Sequence, residues 1–318
     1  MSFWGGLILS LSLGVTAHAS CDGRMTAHKI DQLKVAAVQY PARVGVHEDE
    51  FLSGIRLWVE KAKTEGAQLV VFPELVVLDM LQRGDAPAES AQLRTMARDF
   101  TPRYFTAIEK MAKDVDISIL AGSAPRLVGN DVFNTAFLAL ADGQSYMQDK
   151  IYLTPDEVAW GWSRGSELKV VPTPWGSTAI LICYDSEFPK LSELLAPAKP
   201  EVILVPSMTS DMSGLRRVQW SAQARAVEHY AYVVNTGTVP TARNTSNTAQ
   251  ASLLNPQEDG FPESIARGPM NDEAMVVGTL DIKMLRERRA SAGIYPAREE
   301  DKWPNPQLKI IPEKGQPK

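Results

Sequence analysis

Three side chains in this sequence have the types and the setting for acyl chemistry: Glu74, Lys150 and Cys183. Each follows a strand candidate: residues 68–72 (QLVVF) before Pro73-Glu74, residues 144–149 (QSYMQD) before Lys150, and residues 178–182 (TAILI) before Cys183. A thiol with a pKa of about 8.5 is mostly protonated at neutral pH, so attack on a carbonyl needs a group to accept its proton. The oxyanion that then forms needs a fixed positive charge. A glutamate and a lysine meet both needs without histidine. Taken one at a time, each residue has a plainer reading: a small buried thiol, a loop carboxylate and a solvated lysine at a strand end. Their shared position at the ends of strand candidates argues for a set.

Elements must bring these residues together. Residues 33–39 (LKVAAVQ) read as a buried strand. A helix follows, with Phe51, Ile55, Trp58, Val59 and Ala62 at three- and four-residue steps, acidic residues in its first turn and Gly66 at its stop. The next strand is residues 68–72, and strand-helix-strand suggests a parallel pair with a crossover. A long helix then carries Leu93, Met96, Phe100, Phe105, Ile108 and Met111 past an interruption at Pro102. Residues 116–122 form a third strand, and residues 132–141 and 144–150 form a hairpin around Asp142-Gly143. Residues 178–182 are a buried strand and residues 188–195 (FPKLSELL) a helix, so Cys183 stands at a strand-to-helix junction, where backbone N–H groups favour negative charge. Further strands are expected at residues 168–171, 201–206, 231–235, 251–254 and 274–282, with helices at 215–230 and 281–289.

The bulk figures limit the function classes. A chain of 318 residues, 44% hydrophobic and 22% charged, can build one large core, and no repeat or linker divides it. A formal charge of −5 without a Lys/Arg cluster argues against a nucleic-acid partner. His18, His28, His47 and His229 lack ligand spacing, which argues against a metal site. Residues 1–19 read as an export signal: an apolar stretch from Leu7 to Val15 precedes Ala17-His18-Ala19, though no positive charge leads it. Cleavage after Ala19 would place the protein in the periplasm or outside the cell, and a lipid anchor on Cys21 is a further possibility; without a signal the protein is cytoplasmic. Elsewhere no apolar run is long enough to span a membrane. The tail from residue 291, rich in proline beyond residue 303, is expected to run extended over a surface or a neighbouring subunit.

One motif misleads. Residues 161–165 (GWSRG) fit G-x-S-x-G, with His229 as the only downstream histidine. That motif works on an elbow between a strand and a helix, and here no apolar strand precedes it, so Ser163 is not read as a nucleophile.

Residues 70–75 (VVFPEL), 149–157 (DKIYLTPDE) and 181–191 (LICYDSEFPKL) together resemble the glutamate, lysine and cysteine motifs of the nitrilase superfamily of carbon-nitrogen hydrolases, in order and at suitable separations. The resemblance covers about residues 33–290 and includes residues 223–229 (QARAVEH); Lys190 stands where many members have glutamate. It implies an α/β fold of the four-layer αββα sandwich type, commonly a homodimer or larger homo-oligomer, and no cofactor. By resemblance, Cys183 attacks, Glu74 shuttles protons, Lys150 and the Tyr184 N–H hold the oxyanion, and Glu157 orients substrate or Lys150. The sequence CYDSEFP resembles amidase and carbamoylase branches, so amide hydrolysis is expected. Nitrile or N-carbamoyl amine hydrolysis by the same residues is the alternative, and a non-catalytic binding or scaffold protein the reading of another class. Trp160, Trp162, Met208, Thr209 and Asp211 are candidates for the substrate pocket, and Asp185 and the Arg225/Glu228 pair for structural support.

Overall fold

The structure, a computed structural model, describes residues 30–82, 84–242, 244–302 and 309. The expected export signal, Cys21 and most of the C-terminal tail lie outside the described residues.

The first part of the chain supplies β1 (Gln32–Pro41), α1 (Glu48–Thr64), β2 (Leu69–Val71), α2 (Ala86–Thr95), α3 (Thr101–Val115), β3 (Ser118–Val128), β4 (Asp131–Ala139) and β5 (Ser145–Asp149). The second supplies α4 (Pro155–Ala159), β6 (Val170–Thr173), β7 (Gly176–Ile180), α5 (Pro189–Leu195), β8 (Val202–Ser207), α6 (Met212–His229) and β9 (Tyr232–Val239). Last come β10 (Ser252–Leu254), β11 (Ala266–Arg267), β12 (Ala274–Asp281), α7 (Ile282–Ser291) and α8 (Pro296–Glu299).

The strands form two sheets, in the orders β12-β1-β2-β3-β4-β5 and β11-β10-β9-β8-β7-β6. They are joined at one corner, where Tyr40 and Pro41 of β1 pair with Thr238 and Val239 of β9. In each sheet the central strands run parallel and the outer ones antiparallel. The side-chain period of two then sorts the core. Leu33, Val35 and Ala37 of β1 pack inward among residues of the second sheet, while Ala36, Val38 and Tyr40 lie in a separate cluster with Phe51, Ile55, Val59, Tyr104 and Ile108 of α1 and α3. On the far side, Leu191 and Leu195 of α5 and Val218, Ala222 and Ala226 of α6 cover the second sheet. The result is the expected αββα sandwich. Burial of each large apolar side chain contributes about 1.5–3 kcal/mol.

Differences from the sequence reading have local causes. Pro102 does not break the long helix, because the backbone widens into a π-helical turn at Met96–Phe100 and restarts as α3 with Pro102 in its first turn. The third strand runs on to Val128 and turns back into β4 through Gly129, at φ +59°. The strand expected at residues 168–171 begins two residues later, as β6. Residues 296–302, expected as part of an extended tail, instead form α8 and a 3-10 turn, anchored where buried Tyr295 packs against Tyr230 at 5.7 Å between ring centroids.

Candidate active site

The three strand ends converge. Glu74 follows β2 through Phe72-Pro73, and the chain there needs a glycine beside it. Gly122 has φ +68°, and a Cβ at that position would lie 1.9 Å from the Pro73 carbonyl oxygen. The β3–β4 register shifts between Leu120 and Ser123, and Ser123 Oγ accepts the Leu75 N–H at 3.0 Å. The bulge in β3 thus cradles the turn that presents Glu74.

Lys150 leaves β5 directly. Its N–H donates to the Asn134 carbonyl at 2.8 Å and its own carbonyl accepts from Gly165 N–H at 2.7 Å. Its ammonium donates to Glu74 Oε1 and Glu157 Oε2, both at 2.7 Å. Glu157 lies in the first turn of α4, where its Oε2 also accepts from the Thr154 N–H at 2.8 Å and the Thr154 hydroxyl at 2.9 Å. Asn134, buried in β4, completes the cluster by donating to Glu74 Oε1 at 2.9 Å and Glu157 Oε1 at 2.6 Å.

Cys183 opens a 3-10 turn, Cys183–Glu187, between β7 and α5. Its φ of +48° is a left-handed conformation that a β-carbon disfavours, and such strain is tolerated where the surroundings fix it. Ser186 Oγ donates to the Cys183 carbonyl at 2.7 Å, and Arg225 donates to the Ser186 carbonyl at 3.1 Å. The sulfur lies 3.7 Å from the Met208 carbonyl, and the Met208 N–H donates to Glu74 Oε2 at 3.0 Å. Residue 208 therefore bridges the Glu74 carboxylate and the Cys183 thiol.

The electrostatics follow from burial. Glu74, Lys150, Glu157 and Cys183 are all at most 4% exposed. Burial raises the Glu74 carboxyl, the Lys150 charge works against that rise, and Glu157 adds to it. Burial acts to lower the Lys150 ammonium, yet Glu74 and Glu157 outweigh it and hold the group above the ordinary lysine range. Burial, reinforced by Glu74, pushes the Cys183 thiol well up. Burial thus favours the neutral form of the thiol, which lies beside a carboxylate and a paired cation, so a thiol attacking from here would have to give up its proton as it did so.

The cluster floors a pocket of about 240 Å³. Trp160, Met208, Thr209, Asp211 and Tyr184 line it. The Asp211 carboxylate also caps α6, accepting the Gly214 N–H at 2.7 Å. Trp162 does not line the pocket: its indole is buried with Leu75, Leu78, Leu81, Leu93 and Val132, behind Trp160 at 5.1 Å. Ser163 is no nucleophile. Its hydroxyl donates to Asp131 at 2.7 Å, and His229 pairs instead with Ser192 at 2.8 Å. Asp185 and the Arg225–Glu228 pair, at 2.9 Å, act as supports.

Sequence reasoning missed Asn134, Arg217 and Glu187. Asn134 had a signal, a polar residue inside the apolar run of β4 that would need a buried partner. Arg217 and Glu187, paired at 3.0 Å in the pocket wall, come from different elements, and no spacing announces them. Among the described residues no group of His, Cys, Asp or Glu could hold a metal ion, and no helix is long and apolar enough to cross a membrane.

Comparison with known proteins gives a consistent picture. The family model described as carbon-nitrogen hydrolase matches residues 34–289. A probable hydrolase, YhcX, of Bacillus subtilis is 29% identical over 269 residues, covering 82% of this chain and 52% of that protein. A chloroplastic omega-amidase of Arabidopsis thaliana is 25% identical over 256 residues, covering 76% of this chain and 66% of that protein. The chain thus spans about half the length of the first relative and about two thirds of the second. Among solved structures, Saccharomyces cerevisiae Nit3, of the nitrilase superfamily, superposes with a TM-score of 0.70 at 21% identity, covering 83% of this chain and 95% of that one. An amidase from Nesterenkonia sp. gives 0.66 at 21% identity, covering 81% and 94%.

Proposed function

The chain belongs to the carbon-nitrogen hydrolase family, and from that premise we propose that it hydrolyses a small-molecule amide to a carboxylic acid and ammonia through a thioester on Cys183. The observation that carries this reading is the buried Lys150 ammonium clasped by Glu74 and Glu157 beside the buried Cys183 thiol. Glu74 takes the thiol proton as sulfur attacks the carbonyl carbon. The oxyanion is held by Lys150 and the Tyr184 N–H. Protonated Glu74 then gives its proton to the amide nitrogen, the C–N bond breaks and ammonia leaves. Water attacks the thioester, Glu74 accepts its proton, and that proton returns to sulfur as the acid departs. Trp160, Met208 and Thr209 contact the acyl group, and the confined pocket favours a short one.

The test is ammonia release from a panel of short aliphatic, dicarboxylic and aromatic amides, with matching nitriles and N-carbamoyl amines, by wild type and Cys183→Ala. Release from amides, lost in the variant, is expected. Release only from nitriles or only from carbamoyl compounds would move the chain to that chemistry, and silence across the panel would favour a binding role.

A further inference from the structure

Lys150 and Cys183 come from different sheets, at the ends of β5 and β7, and these two strands share no hydrogen-bonded edge. A side chain joins them instead. Asp185, in the turn that begins at Cys183, accepts the Tyr152 N–H at 2.7 Å and the Ile151 N–H at 3.1 Å on Oδ1, with Oδ2 3.3 Å from the same Ile151 nitrogen. These are the two peptide N–H groups immediately after Lys150. A second contact lies alongside: the Tyr152 ring stacks on Phe188 at 3.6 Å and an interplanar angle of 3°. Since the Lys150 peptide is fixed by Asn134 and Gly165 on its other side, Asp185 supplies the link to the nucleophile's turn.

The link is held against a cost. Asp185 is 1% exposed, and burial pushes it up to about 7 despite the N–H groups of Tyr152 and Ile151 and the Lys150 charge. A buried carboxylate retained on such terms argues for a role beyond filling space.

We propose that Asp185 is a positioning residue: its carboxylate ties the peptide after Lys150 to the turn that starts at Cys183 and so sets where the ammonium stands relative to the attacking sulfur. The proposal rests on the reading of Cys183 as nucleophile and Lys150 as oxyanion holder. A displacement of about 1 Å at such a site costs on the order of 10²-fold in rate.

The experiment measures kcat per thiol-titrated active site, with KM, for wild type, Asp185→Asn, Asp185→Ala, Lys150→Ala and the Lys150→Ala/Asp185→Ala double variant. Asp185→Ala should lose roughly 10²-fold in kcat per titrated site. Asp185→Asn, which keeps one acceptor oxygen, should lose less, and KM should change far less than kcat in both. Because Asp185 acts through Lys150, the double variant should be no slower than Lys150→Ala alone. Near-normal kcat per titrated site in Asp185→Ala, or losses that multiply in the double variant, would overturn the proposal. If the alanine variant fails to fold, the asparagine variant, alone and with Lys150→Ala, decides by the same criteria. An active wild type with unaffected Asp185 variants removes this proposal alone, whereas a wild type inactive on amides, nitriles and carbamoyl compounds removes the catalytic reading with it.

Discussion

The Lys150 ammonium is buried between two carboxylates, and an unpaired charge at that depth would be prohibitive. Pairing keeps the lysine charged across the working pH range, so its deprotonation sets no alkaline limit. In the proposed mechanism the acid limit belongs to Glu74, which must be ionised to accept the thiol proton. Because burial raises that carboxyl, its ionised fraction falls as pH drops through a value above the ordinary carboxylate range. The kcat/KM profile should therefore lose activity on acidification earlier than an exposed glutamate would dictate. Asp185, raised to about 7, also takes up a proton on acidification. The Asp185→Asn variant separates the two: the limb that persists in it is that of Glu74. A profile flat down to pH 4 would contradict Glu74 as the base.

Glu74, Lys150 and Cys183 each follow the C-terminal end of a strand, where α/β sheets gather their sites. The elements hold these ends with specific devices rather than with propensity alone. The bulge in β3 leaves room for the Pro73 carbonyl only because residue 122 is glycine. Gly122→Ala combines a left-handed backbone with a clash against rigid backbone, and should cost about 2–4 kcal/mol of stability. Denaturant unfolding gives the stability loss, and kcat on the remaining folded protein should fall as well, since Glu74 moves with its turn. A variant as stable and active as wild type would show that the bulge is not what places Glu74. The glycine itself was visible in the sequence, but its role was not, because the close approach joins residues that the chain separates by a whole helical layer.

At the scale of the molecule, the sandwich brings Glu74, Asn134 and Lys150 from one sheet against Cys183 and Met208 from the other. The strands that end at Glu74, Lys150 and Cys183 were legible because apolar runs before Glu74 and Cys183, and the Asp142-Gly143 turn before Lys150, are local signals. The pairing of β1 with β9 at the corner, the burial of Trp162 and the Arg217–Glu187 pair were not, since each depends on how distant elements meet. Trp160 and Trp162 show the limit: two tryptophans one residue apart, of which packing puts one in the pocket wall and the other in the cluster behind it. The account turns on a covalent bond between Cys183 and the acyl group, and the most direct test is the intact mass of enzyme quenched in acid during turnover of an amide. A mass gain equal to the acyl group, mapped to the peptide bearing Cys183 and absent from Cys183→Ala, is the predicted result. An acyl group carried on any other residue, or undiminished turnover by Cys183→Ala, would contradict it.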